Sequence, residues 1–292
     1  MYTLKNDRLR VDVSVPGIAP NTTTRFDRAG FIEEVVLDGV HRFCASEPHN
    51  LSHVSSGGRG ICNEYKTSAG ADAPAGGYFI KPGVGLLLKD ADGPYSFMKK
   101  YAAEPFDIDV TRDGDSLLFV TSPKPCGGFA LRQEKRVEIH GNRIDMHIKL
   151  ENVGENHFEG EEYCHNFLTI NGMSLGPDYT LTFPTGADRG QCQVEGELLA
   201  DGRRFTFSGP LKAARFFAIA KNDFSNAPGE ALEWTLSNSK ERARVCARER
   251  INLSGVALWA ADHMFSVESF HKIGLKPGES DAWTRSWTFE PF

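Results

Sequence analysis

Long apolar runs are missing from this chain. No stretch approaches the ~20 apolar residues that a membrane helix needs, and the opening MYTLKNDRLRVDVSVPG holds no apolar core of a secretory signal. Both absences lead us to expect a cytoplasmic protein with no membrane partner. An excess of basic residues is missing too. The 33 Lys and Arg stand against 39 Asp and Glu, a formal charge of −6, which argues against a nucleic-acid partner, since nucleic acids reward basic surfaces. Paired cysteines are missing: Cys44, Cys62, Cys126, Cys164, Cys192 and Cys246 include no C-x-x-C. Free thiols in a reducing compartment are expected, not a disulfide framework. The glycine-rich SSGGRG and GVG segments do not lie between a buried strand and a helix, so no dinucleotide fold or phosphate loop is indicated. His49 and His53 are four apart, but HNLSHVSSGG has no helical period and no third ligand follows at zinc spacing, so no metal is expected. Amphipathic helices are nearly absent; PYSFMKKY (94–101) offers a turn or two at best.

What is present is a period of two. RLRVDVSV (8–15) puts Leu9, Val11, Val13 and Val15 on one face, and RIDMHIKLENV (143–153) does the same with Ile144, Met146, Ile148 and Leu150. Short segments rich in aromatic and branched residues follow, including YTLTF, RFFAIA, EWTLSN and GVALWA, separated by turn signals such as RDGD, IHGN and KPGES. The chain reads as all-β, a dozen or more antiparallel strands in one domain over residues 1–292. Residues 47–78, long and rich in Gly, Ser and Ala, read as an exception, a functional loop inside the strand pattern.

With cofactor motifs excluded, acid–base chemistry by side chains remains. His165 in GEEYCHNFLTING (160–172) is the first candidate, because its ordinary pKa lies nearest neutrality. Alternation places Glu161, Tyr163 and His165 on one strand face and Glu162, Cys164 and Asn166 on the other. Cys164 therefore cannot meet His165 as a nucleophile pair, while Glu161 is placed to keep the imidazole protonated. In FSVESF, Phe265 and Val267 share one face and Ser266 and Glu268 the other. An acidic residue between apolar ones is either on a solvent face or placed where burial raises its pKa. Arg59 and Lys81 are candidate contacts to hydroxyls or a phosphate, and Tyr65, Phe79 and Phe167 could stack on a sugar ring.

Four segments in order, AGFIEEVVLDGVHRF (29–43), GGRGICNEYKTSAG (57–70), EEYCHNFLTING, and FSVESF with LKPGES, resemble those of the galactose mutarotase-like superfamily, which includes the aldose 1-epimerases. The resemblance implies a β-supersandwich of stacked antiparallel sheets with a concave carbohydrate-binding face. It implies a mutarotase with Glu268 as base, His165 as acid and no cofactor. Its substrate would be a small aldose or sugar phosphate, bound with help from Arg59, Glu64, Lys81, Glu161, Asn166, Asp178 and His263, in a monomer or homodimer. A second pocket histidine would be His53 or His263. The alternatives are a non-catalytic carbohydrate-binding protein on the same fold, and a glycan-cleaving enzyme pairing Glu161 or Asp178 with Glu268.

Overall fold

The computed structural model describes residues 1–18, 22–47, 56–184, 196–220 and 230–292. The described residues contain strands and turns and no helix. A first sheet runs in the order β1 (Tyr2–Lys5), β2 (Leu9–Val13), β3 (Ile32–Leu37), β5 (Ile61–Thr67), β13 (Phe158–Asn166), β21 (Met264–Leu275), β20 (Leu253–Ala261) and β17 (Arg215–Ala220), with the short β4 (His41–Arg42) beside β3. A second sheet runs β15 (Leu198–Asp201), β16 (Arg204–Phe207), β14 (Tyr179–Thr182), β18 (Leu232–Asn238), β19 (Ala243–Arg250), β22 (Ser280–Pro291), β12 (Arg143–Asn152), β11 (Leu131–His140), β10 (Ser116–Thr121) and β9 (Ile108–Asp113). A third, small sheet holds β6 (Tyr78–Lys81), β7 (Gly85–Leu88) and β8 (Ala103–Pro105). The strand pairs are antiparallel.

The period of two shows why these strands stack. On β11 and β12, Val137, Ile139, Ile144, Met146 and Ile148 turn inward, and they meet Val11, Val35, Ile61, Cys164 and Val267 of the first sheet in one apolar cluster. The centre of the first sheet departs from simple alternation. Ile61–Tyr65 of β5, Glu162–Asn166 of β13 and Met264–Ser269 of β21 are buried on both faces. One face lies against the second sheet. The other lies under the third sheet, whose Phe79, Val84, Leu87 and Tyr101 form their own small core. Polar residues in these strands must therefore find partners inside the protein.

On the inter-sheet side they find them in a connected ionic network. Arg285 of β22 donates to Glu162 at 2.7 Å and to Glu249, and all three are fully buried. Asn63 donates to Glu162 at 2.6 Å, Lys135 donates to Asn63 at 2.9 Å and pairs with Asp27 at 2.5 Å, and Tyr65 donates to Gln133 at 2.6 Å. Trp287 donates to Asn166 Oδ1 at 2.8 Å.

One sequence expectation changes here. Residues 47–78 hold β5, one of the central strands; burial on both faces removes the alternation that would have revealed it. Residues 94–101, expected to offer a turn or two at best, form an irregular connection with a turn at Phe97–Met98. The free thiols agree with expectation for Cys44, Cys62, Cys126, Cys164 and Cys246; Cys192 lies outside the described residues.

Gly60 joins three segments at the start of β5. Its N–H donates to Ala45 O at 2.7 Å and its carbonyl accepts from Phe167 N at 2.9 Å. Its φ is +55°, and a Cβ there would meet Ile32 O at 1.9 Å. Both the left-handed backbone and the overlap oppose any side chain, so Gly60→Ala should lose about 2 kcal/mol or more of stability. A urea midpoint within error of wild type would contradict this.

Candidate functional site

The pocket-facing side of the same three strands holds a second polar cluster. His165 on β13 lies between two carboxylates. Its Nε2 is 3.0 Å from Glu64 Oε2 on β5, and its Nδ1 is 2.9 Å from Glu268 Oε1 on β21. The register explains the meeting: Glu64 pairs with Tyr163, which pairs in turn with Phe270, so residues 64, 165 and 268 fall close together on one face. The imidazole is boxed by aromatic rings, stacked on Phe167 at 5.2 Å and edge-on to Phe26 at 5.1 Å. Glu64 collects further donors: Arg25 Nε at 2.6 Å and Tyr163 OH at 2.6 Å, with Lys81 Nζ 3.7 Å away. Lys81 also donates to the Tyr65 carbonyl. Ser266 donates to Glu268 Oε1 at 3.2 Å.

This cluster forms part of the wall of a cavity of about 960 Å³. Glu47, Arg25, Glu64, Lys81, Tyr163, His165 and Glu268 line it, and Phe79, Tyr95, Phe97, Phe216, Trp259 and Phe270 supply aromatic walls. Volumes of this size suit small-ligand sites.

The electrostatics are those of a compact set of opposed charges. Burial alone would lower the His165 pKa, but the close Glu268 charge and the hydrogen bond to Glu64 outweigh it and raise it above the ordinary imidazole value. Burial would raise Glu64, yet its hydrogen bond to His165 and the charges of Lys81 and Arg25 hold it well below the usual carboxylate range. Burial lowers Lys81 to about 8 against the pull of Glu64. Burial raises Glu47 in spite of Arg25 and His165.

Because the fold raises the His165 pKa, its contribution to stability is fully present below the unfolded value of about 6.5 and is lost as pH rises through the folded value. His165 should therefore still be an imidazolium at pH 6.5, both ring nitrogens protonated in long-range ¹⁵N–¹H spectra. Glu64→Gln removes a full negative charge from Nε2 and should move the titration to lower pH. A ring already neutral at pH 6.5 in the wild type would refute the assignment.

Four of the sequence candidates, His165, Glu268, Glu64 and Lys81, come together here, as do the aromatic candidates Phe79 and Phe167; the Tyr65 ring turns the other way, into the inter-sheet core, where it donates to Gln133. The others do not. Arg59 pairs with Glu33 at 2.7 Å and packs over Phe31, outside the cavity lining. Glu161 shares the face of His165 but lies four residues along the strand, roughly 13 Å away; it accepts from Ser254 at 2.6 Å and faces Lys66. Glu64 and Glu268, not Glu161, hold the proton on His165. Asn166 points the other way and its amide is consumed by Val267 O, Cys164 O and Trp287. Asp178 is exposed beside the Ser239 turn. His263 is tied to Asp262 and to Ser46 O and does not line the cavity. His49 and His53 lie outside the described residues. Arg25, Glu47 and Tyr163 are additions to the sequence reading.

Among the described residues, one group has metal-ligand spacing: Glu138, His140 and Asp145, on the outer face of the second sheet. Arg143 already occupies Asp145 at 2.7 Å. The chain also contains one G-x-S-x-G, Gly172–Gly176, which turns between β13 and β14 with Ser174 exposed. No helix follows it, so it lacks the strand–turn–helix context of a nucleophile elbow.

No protein-family model matches the chain, and no curated protein sequence does. Solved structures do match. A protein of Synechocystis sp. PCC 6803 aligns at 13% identity and TM-score 0.63, covering 100% of this chain and 96% of its own. The galactose mutarotase related enzyme from Lactobacillus acidophilus aligns at 12% identity and TM-score 0.56, over 99% and 97%. The chain has the galactose mutarotase-like fold. The aldose epimerase homologue from C. elegans shares it at 8% identity and TM-score 0.56, over 98% of this chain and 96% of its own. At such identities the likeness is one of fold, and function has to be argued from the site. No helix among the described residues is long and apolar enough to cross a membrane.

Proposed function

We propose that this galactose mutarotase-like chain is a cytoplasmic aldose 1-epimerase, folded as one domain, that interconverts the anomers of a small sugar by acid–base ring opening. The observation that supports this best is the 2.9 Å approach of Glu268 Oε1 to His165 Nδ1 at the cavity wall, a carboxylate placed to raise the His165 pKa. The anomeric hydroxyl and the ring oxygen are bonded to the same carbon. Two groups already in contact suit two oxygens so close together. In this scheme the sugar parts the Nδ1–Oε1 contact. Glu268 takes the proton of the anomeric hydroxyl, and the Nδ1 proton passes to the ring oxygen as the C1–O5 bond breaks and the C1 carbonyl forms. Rotation about C1–C2 presents the other carbonyl face. Reclosure returns both protons and yields the other anomer. Every step uses side chains and the substrate alone.

Glu64 acts through the histidine. Held ionised by Arg25, Tyr163 and Lys81, it fixes Nε2–H and leaves Nδ1 as the nitrogen that faces Glu268. Lys81 and Arg25 also supply positive charge near a sugar hydroxyl or phosphate.

A second reading is a carbohydrate-binding protein without catalysis. It is favoured by the 1% exposure of His165, whose two nitrogens are both engaged by carboxylates. Anomer-exchange NMR over a panel of aldoses and their phosphates separates the two. We expect exchange faster than in buffer for at least one sugar, lost in His165→Ala. Thermal stabilisation by a sugar whose anomers exchange at the buffer rate would favour binding. Glycan cleavage by Glu161 or Asp178 with Glu268 has no geometric support, since neither partner lines the cavity.

A further inference from the structure

A second, smaller cavity of about 220 Å³ lies where the third sheet meets β9, and none of its lining residues lines the larger one. Gly17, Pro105 and Asp107 are exposed at its mouth, and Arg28, Val84 and Phe106 are buried at its floor. Arg28 is the unusual member, a guanidinium only 4% exposed. Of its five N–H protons, one is spent, on Thr23 O at 2.6 Å. Among the described residues its buried Nε has no hydrogen-bond partner. The Phe31 ring, 5.8 Å from the guanidinium carbon, offers only its face. No described carboxylate pairs with Arg28. Asp27 is committed to Lys135 and Gln133, and the exposed carboxylate of Asp107 is directed to Lys124 at 3.8 Å. Arg285, also deeply buried, has two carboxylates of its own. Burial brings the Arg28 pKa down to about 10, and the Asp27 charge works against this without reversing it. The group is still a cation at neutral pH.

A buried charge without a counter-charge is costly. A water satisfies Nε but brings no charge, whereas an anion supplies both. We propose that the smaller cavity binds a short aliphatic monocarboxylate, with its two oxygens on Arg28 and its hydrocarbon tail among Pro16, Ile18, Val84, Phe106 and Ile108. The planar guanidinium fork matches a carboxylate. The rest of the lining is apolar and suits a tail, not a second charge. At the roughly 30 Å³ a water occupies in the liquid, the volume holds about seven heavy atoms, enough for an acid of about four carbons. Inorganic phosphate would fit by size, but its second charge would be buried with no cation to meet it. The two cavities share no residue, so this site stands or falls independently of the epimerase reading.

The test follows the Arg28 Nε–H resonance of the wild-type chain in ¹⁵N–¹H spectra. The resonance is identified by its loss in Arg28→Lys or, if that variant does not fold, by its proximity to the Phe31 ring protons. Sodium propionate, added at constant ionic strength, should shift it along a curve that saturates in the millimolar range. Inorganic phosphate should act about tenfold more weakly, because its second charge stays unpaired. Ile108→Trp and Ile18→Trp, on two different segments, each fill the apolar part of the cavity and should weaken propionate by about tenfold. A flat or unsaturating response of the wild type to propionate overturns the proposal. So does a phosphate response tighter than that of propionate, which would make this a site for tetrahedral oxyanions. A propionate response undiminished in a folded filling variant overturns it as well, since the anion would then act from elsewhere.

Discussion

Glu268→Gln should lower kcat/KM for anomer exchange about 10²–10⁴-fold, the range for loss of one positioned acid or base. The substitution keeps the size of the side chain and can still accept from Ser266, so the fold should survive. What it removes is the charge that takes the anomeric proton. It also removes the foremost influence raising His165, so the imidazole should titrate at lower pH in the variant. The two effects can be measured apart, the first by exchange kinetics and the second by ¹⁵N shifts. Wild-type exchange rates in both Glu268→Gln and His165→Ala would remove the acid–base assignment altogether. A normal rate with a lowered His165 titration would leave Glu268 as a positioning residue only.

The largest stability effect should come from the opposite side of the same strands. Arg285→Met strands Glu162 and Glu249 as two fully buried carboxylates. Removing one partner of such a cluster costs about 3–5 kcal/mol. That is a large share of the 5–15 kcal/mol that holds a typical protein folded. The melting temperature should fall by about 6 °C or more. Adding Glu162→Gln and Glu249→Gln to Arg285→Met should recover much of the loss, since the triple variant buries no unpaired charge. A triple variant no more stable than the single one would mean that Arg285 acts by packing its stem, not by its charge.

How legible was this site in the sequence? The faces of β13 and β21 were fully so. Alternation separated His165 from Cys164 and Asn166, and Glu268 from Val267, and the side chains sit accordingly. Strand β5 was not, because burial on both faces erased the period that would have marked ICNEYKT as a strand. Glu64 was reached through the resemblance of its surrounding segment, and the four donors that hold it ionised were not foreseen as a set. Arg25 belongs to no regular strand; nothing in TTTRFDRAG signals that the chain will fold back to place it on Glu64. Glu161 shows that a shared face is not enough, since four residues of strand rise put it roughly 13 Å from His165.

The chain neighbours of the pocket residues carry a further consequence. Asn63, next to Glu64, is held by Glu162 and Lys135. Asn166, next to His165, is held by Trp287. Ser269, next to Glu268, is bonded to Arg285. Each acid or base is thus one residue from an anchor in the far layer, and the spacing of the reacting groups is transmitted through the backbone from side chains that no substrate touches. Selection for altered kinetics in this protein should therefore return substitutions on β11 and β22 as well as in the cavity, and a laboratory search confined to cavity-lining positions would overlook half of the machinery that tunes it.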